Sequence, residues 1–235
     1  MTLRFFAAAL VLLVGAGPVT AQQARRAPVA NWVATVAKTP EGGFRQGNPN
    51  ARIKLVEYGS RTCPTCGRFA AEGVEPLRRD WIASGKLSYE FRDFLIHGVP
   101  DLSLALLNQC VPVARFFPVL DQMFASQESF EAPLHKLIET QPKLVEGWQR
   151  LPPPQAATKF AESLGMIAFM KARGLPEAQA RRCLSNSALI KGVAETFSRG
   201  TKAGVQGTPS FFINGRQVRA FTWDQLQPEL RAADS

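Results

Sequence analysis

The stretch EYGSRTCPTCGRF, Glu57 to Phe69, holds two of the chain's four cysteines, Cys63 and Cys66, with Pro64 and Thr65 between them. A pair so spaced could bind a metal, brace the fold or exchange electrons. Immediately upstream, Ile53 to Tyr58 has the composition of a strand and follows the turn signal GNPNA. Downstream, Phe69, Ala70, Val74, Leu77 and Trp81 recur at helical spacing. The cysteines therefore stand at the start of an amphipathic helix that directly follows a strand. Pro64 suits the first helical turn, where a missing donor is no loss. Pro76 should kink the helix, because its ring removes a donor and clashes with the carbonyl of Glu72.

Working outward, KLSYEFRDF alternates Leu87, Tyr89 and Phe91 with polar partners and predicts a second long strand. Strand, helix, strand favours a right-handed crossover and a parallel pair. A short strand is expected around Phe44, after a polar lead-in. From 99 to 200 the periodicity is helical, in LSLALLNQCVPVARFF, LHKLIETQPKLVEGW, ATKFAESLGMIAFMKARG and LIKGVAETFSRG. Strands resume as SFFI and QVRAF around Asn214-Gly215, a two-residue hairpin signal. Thr222 and Gln225 then have capping-box spacing for a closing helix. The expected architecture is α/β: a βαβ unit and a ββα unit on one sheet, with a large helical insertion between them.

A cysteine at the first turn of a helix faces unpaired backbone N–H groups and the positive end of the macrodipole, which favour thiolate over thiol. Cys63 has that place and is expected to be the exposed nucleophile or leaving group; Cys66, one turn further in, is the shielded resolving thiol. A brace is a poor alternative, since so small a ring removes little entropy from the unfolded chain. Zinc would need a second pair, and the chain offers only isolated Cys110 and Cys183 and two separate histidines, His97 and His135. No metal and no cofactor beyond the Cys63–Cys66 dithiol is expected.

The N-terminus, MTLRFFAAALVLLVGAGPVTAQQ, carries Arg4, an apolar run to about Val14 and small residues ending at Ala21. These are the three regions of a secretory signal, with cleavage expected after Ala21; the run is shorter than a membrane-spanning helix needs. The expected layout is a signal at 1–21, a lead-in at 22–42, a first sheet portion at 43–98, a helical insertion at 99–200 and a second sheet portion at 201–235. The even cysteine count suits an oxidising compartment outside the cytoplasm. With 28 basic and 19 acidic residues the chain carries a formal charge of +9. Arg78-Arg79 and Arg181-Arg182 are short doublets on amphipathic stretches, so they are expected to be solvated helix faces rather than a nucleic-acid site.

A second motif, GVQGTPSFFINGR, sets Thr208-Pro209 just before the third strand, where proline would interrupt a ladder unless it lay at an edge or in a cis turn. With this motif, EYGSRTCPTC after a strand and the helical block between them, the chain resembles the thioredoxin-fold thiol–disulfide oxidoreductases, specifically their DsbA-like periplasmic branch. The resemblance spans about Phe44 to Arg231. It implies that Pro209 is cis and stands against the cysteine pair, and that the Thr208 backbone pairs with a client peptide as an added strand. It implies that Glu57 is the buried acid that helps move a proton at the resolving cysteine. It also implies a second disulfide, Cys110 to Cys183, as some relatives carry; the alternatives are two free thiols or a pair that tunes the first.

The resemblance implies, further, a periplasmic oxidase acting on partly folded exported proteins and reoxidised by a quinone-linked membrane partner. Thr65 stands where the strongest oxidases have histidine, and Thr208 where they usually have valine. Threonine at the second position is the residue of isomerases and reductases kept reduced by a membrane donor. Those isomerases carry an N-terminal dimerisation domain, for which the lead-in is too short. A monomeric oxidase of moderate power is therefore expected first, a reductase or isomerase second, and a periplasmic soft-metal chaperone third.

Overall fold

The structure, a computed structural model, describes Thr2 and residues 30–235. Apart from Thr2, the expected signal sequence lies outside the described residues, as do residues 22–29 of the lead-in.

The turn GNPNA ends in β3 (Ile53–Gly59), whose side chains alternate between faces: Ile53, Leu55 and Glu57 are buried on one, while Lys54 on the other is exposed. Helix α1 (Pro64–Pro76) follows after four residues and crosses to β4 (Leu87–Asp93), which pairs parallel with β3. Pro76 is the last α-helical residue. The chain does not break there but continues as a π-helical segment, Leu77–Ile82. β2 (Phe44–Gly47) lies antiparallel to β4.

One strand was not legible. Within the lead-in, a 3-10 turn at Trp32–Ala34 is followed by β1 (Val36–Lys38), antiparallel to β2. Three residues are too few to establish a period; β1 exists because β2 offers it an edge. At the other end β5 (Ser210–Ile213) and β6 (Arg216–Val218) form the expected hairpin, with Asn214 and Gly215 at φ 50° and 82°. The six strands run in the order β1-β2-β4-β3-β5-β6.

The capping-box expectation needs correction. Helix α10 (Trp223–Asp234) begins after Thr222, whose side chain caps nothing; Gln225 Oε1 instead accepts from the Phe221 N–H at 2.8 Å.

Between β4 and β5 the chain is helical: α2 (Val99–Gln109), α3 (Phe116–Ala125), α4 (Glu128–Thr140), α5 (Pro142–Gln149), α6 (Pro153–Ser163), α7 (Met166–Lys171), α8 (Glu177–Leu184) and α9 (Ser187–Lys202). Two cores result. One joins the sheet to α1, α3 and α10 through Leu55, Phe69, Phe91, Phe116, Phe211 and Leu226. The other lies among the helices, around Leu104, Phe160, Met170 and Leu184. Helix α3 serves both, giving Phe117 and Phe124 to the first and Val119 and Met123 to the second. The site described next lies at this joint.

The arginine doublets behave unequally. Arg79 and Arg181 are exposed and paired with neighbouring carboxylates. Arg78 is not a solvated side chain: it is half-buried, donating to Asp121 on α3 at 2.6 Å and to Gln46 on β2 at 2.9 Å.

Candidate active site

Cys63 is the N-cap of α1, with extended backbone, and Pro64 takes the first helical position. The Cys66 backbone N–H donates to Cys63 Sγ at 3.4 Å. Cys66 is fully buried and Cys63 only 4% exposed, so the first sulfur is less open than expected. Its cover comes from the far end of the chain. The thiol of Cys63 donates to the Thr208 carbonyl at 3.2 Å, and Thr208–Pro209 is a cis peptide. The β3–β5 ladder stops at Tyr58 opposite Ser210, which leaves Thr208 and Pro209 beyond it. Beside them is a groove of about 500 Å³ whose walls include Gln206, Val218 and Phe221.

The electrostatics separate the two sulfurs. The Cys63 thiol is lowered to about 6, chiefly because the Cys66 thiol donates to its thiolate, helped by the Thr208 side chain and the backbone N–H groups of Cys66 and Thr65; burial opposes them. Thr208 Oγ1 is buried with no other partner among the described residues, so its proton can turn to that sulfur. Cys66 is pushed up by burial, by its bond to Cys63 and by the charge of Glu57.

Glu57 lies on β3 with 1% exposure and accepts from the Tyr89 hydroxyl on β4 at 2.6 Å. Its other oxygen has no partner among the described residues. Burial raises it to about 8, against the lowering effect of Tyr89, so the carboxyl holds a proton at neutral pH. Gly59 leaves it room: a Cβ there would fall 2.4 Å from the Phe91 ring and 2.9 Å from Glu57 Oε1.

The residues between strand and cysteine are all buried, and the sequence did not single them out. Arg61, 2% exposed, pairs with Asp93, donates to Asn108 Oδ1 at 2.9 Å and lies over the Phe91 ring at 5.2 Å. Ser60 and Thr62 donate to Asp101 at 2.7 and 2.6 Å. Asp101 and Asn108 are seven apart on α2 and share its inner face, so polar groups in the otherwise apolar run VPDLSLALLNQ were the available signal. Gln127, at the joint of α3 and α4, donates to the carbonyls of Arg61 at 2.9 Å and Cys63 at 2.8 Å. A Cβ on Gly67 would fall 2.4 Å from its Oε1, so a side chain there would displace the Gln127 amide. The cysteine turn is thus clamped to the helical insertion from two sides.

The structure joins Cys110 and Cys183, with Cα atoms 6.0 Å apart, between the end of α2 and α8. Among the described residues no three His, Cys, Asp or Glu side chains gather to hold a metal.

The profile of one family, described as thioredoxin, matches residues 39–231. The chain belongs to the thioredoxin family. It is similar to a solved protein-disulfide isomerase from Novosphingobium aromaticivorans, 32% identical, over 81% of this chain and 96% of that one, with a TM-score of 0.76. It is also similar to a putative protein-disulfide oxidoreductase of Rickettsia bellii, 24% identical, over 92% of this chain and 74% of the relative. Wolbachia pipientis α-DsbA1, at 19% identity, covering 82% of this chain and 89% of that one with a TM-score of 0.61, shares the fold with its inserted helices. By name these relatives and neighbours are protein-disulfide oxidoreductases and isomerases, with a DsbA among them.

Proposed function

We propose that this chain exchanges disulfides with exported proteins outside the cytoplasm, in the periplasm, and does so chiefly as an oxidase through Cys63 and Cys66. One observation carries the reading: the two sulfurs of one short helical turn are driven to opposite protonation preferences. A client thiolate attacks Sγ of Cys63 in the oxidised pair, the Cys63–Cys66 bond breaks, and Cys66 leaves. Glu57, protonated at neutral pH, gives its proton to Cys66. A second client thiolate then attacks the client sulfur in the mixed disulfide, and Cys63 departs as a thiolate. The client gains a disulfide and the enzyme two electrons. A quinone-linked membrane partner would remove them.

The Thr208 carbonyl and the groove beside it suit an extended client peptide laid along the strand edge. A monomer suffices for this chemistry, and no nucleic acid enters it. Stabilising the Cys63 thiolate stabilises the reduced enzyme and makes the pair oxidising. Its value of about 6 falls between about 7 for thioredoxin and about 3.5 for DsbA, which suits moderate oxidising power. The second reading, a reductase or isomerase with a membrane donor, rests on resemblance, because the strongest oxidases usually have valine where this chain has Thr208; the hydroxyl itself lowers Cys63 and works in the oxidising direction. Equilibration with glutathione decides between them. A potential well above that of thioredoxin, about −270 mV, is expected; one at or below it assigns the reductase.

A further inference from the structure

Thr62, the residue before Cys63, has three close neighbours at its hydroxyl: Asp101 Oδ1 at 2.6 Å, His97 Nδ1 at 2.6 Å and Ser60 Oγ at 3.1 Å. A hydroxyl has one proton to give. The Asp101 carboxylate only accepts; it also takes the Ser60 hydroxyl at 2.7 Å and, through Oδ2, the backbone N–H of His97 at 2.8 Å. An approach of 2.6 Å between the Thr62 oxygen and that carboxylate requires the Thr62 proton between them. The contact with His97 must then be supplied by the ring, so Nδ1 carries a hydrogen and donates to Thr62. A neutral imidazole so held leaves Nε2 as a bare acceptor.

Placement makes this useful. Thr62 and Asp101 are buried and His97 is exposed, so the ring rests on the buried pair at the molecular surface. The chain has two histidines, and Glu131 on α4 feels both of them and Cys63 at once. The contact with Thr62 holds the His97 ring against the residue that precedes Cys63. Thr65 puts no titratable group within the cysteine turn itself.

We propose that Nε2 of His97 is a general base for exchange, taking the proton of an incoming client thiol as that sulfur attacks Cys63. The S–H bond of the client breaks, the proton goes to Nε2, the new S–S bond forms at Cys63, and the electron pair of the old bond leaves on Cys66. In the reverse direction the imidazolium returns the proton to the departing client sulfur. The proposal rests on the exchange reading above, in either direction. An ordinary cysteine thiol, near 8.5, is mostly protonated at neutral pH, so a base positioned beside the attack has a task to perform. The titratable groups about the ring are Asp101 through Thr62 on α2, and Glu131 on α4 with Glu128 and His135 around it. Cys63 itself does not titrate in the oxidised enzyme.

The test mixes the oxidised chain with an excess of a dithiol peptide and follows single-turnover reduction by acid quench and alkylation from pH 5 to 9. The native rate should depend on pH less steeply than that of a His97→Gln variant, because Nε2 supplies a base where the peptide thiol is still protonated. His97→Gln should be slower by at least about tenfold at pH 6, climb without a break, and meet the native rate near pH 9, where the peptide is already a thiolate. Parallel profiles overturn the assignment, because a merely structural loss lowers the rate equally at every pH. So does ¹⁵N NMR of the histidine-labelled chain showing the Nε2–H tautomer of His97. Native protein that exchanges at no pH overturns the exchange reading, and this proposal with it.

Discussion

Cys63 and Cys66 are three residues apart and unjoined, whereas Cys110 and Cys183 are 73 apart and joined. The first pair sits where a helix begins, between two unlike environments: backbone donors and Thr208 at one sulfur, and at the other a dry pocket shared with Glu57. The second pair ties α2 to α8, with Cys110 packed against the helical core and its carbonyl accepting from the Gln179 side chain at 3.4 Å. The difference is one of what each bond constrains. Closing three residues costs the unfolded chain little, so the first bond is cheap to break and reform; closing 73 removes far more freedom, which gives the second a structural role.

The largest effect should come from breaking the first pair. Cys63→Ser is expected to take disulfide exchange to background in a peptide oxidation assay. Cys66→Ala should instead accumulate mixed disulfides through Cys63, visible by non-reducing mass analysis; absence of such adducts would reverse the roles assigned to the two sulfurs.

Next is the pH dependence of the reduced protein. Glu57 is raised from 4.5 to about 8, so its favourable contribution is complete below pH 4.5 and is lost as pH rises through 8, on the order of 5 kcal/mol in all. Cys63, lowered from 9.0 to about 6, does the opposite: its contribution is present above pH 9 and lost as pH falls through 6, on the order of 4 kcal/mol. Urea unfolding of Glu57→Gln should show a flatter decline of stability between pH 5 and 8. Alkylation of Cys63 by iodoacetamide should rise with a midpoint near pH 6. A midpoint near 9 would remove the electrostatic asymmetry from the comparison.

Removing the second pair should cost about 4 kcal/mol of stability by loop-closure arithmetic. Urea unfolding of the Cys110→Ala/Cys183→Ala double variant measures it. The alkylation midpoint of Cys63 should stay within about half a unit, since Cys63's shift traces to Cys66, Thr208 and the backbone of its own turn rather than to the second pair. A larger change would mean that the two pairs communicate.

Much of the scaffold was legible because it follows from short-range rules. A strand, a CxxC turn with proline at the first helical position and an apolar stripe on the next helix are properties of neighbouring residues. Asn214-Gly215 likewise announced the β5–β6 hairpin, and both residues have the positive φ that turn needs. β1 was missed because its three residues draw their order from β2 rather than from a pattern of their own. Thr222 failed as a side-chain cap because Gln225 reached one residue further back, to Phe221.

At the site, the sequence by itself determined the two cysteines, their position at a helix start and hence which sulfur favours the thiolate, because the dipole and free N–H groups of a helix end are local. The tertiary structure decided what surrounds them. It set the Thr208 carbonyl against Cys63 across 145 positions, buried Glu57 under Tyr89, and buried Arg61 against Asp93, Asn108 and two phenylalanine rings. It also brought His97 onto Thr62 across 35 positions, a contact that no local pattern announces. Burial and hydrogen bonding are properties of where chains meet, and no periodicity along one segment encodes the partner that another segment will bring.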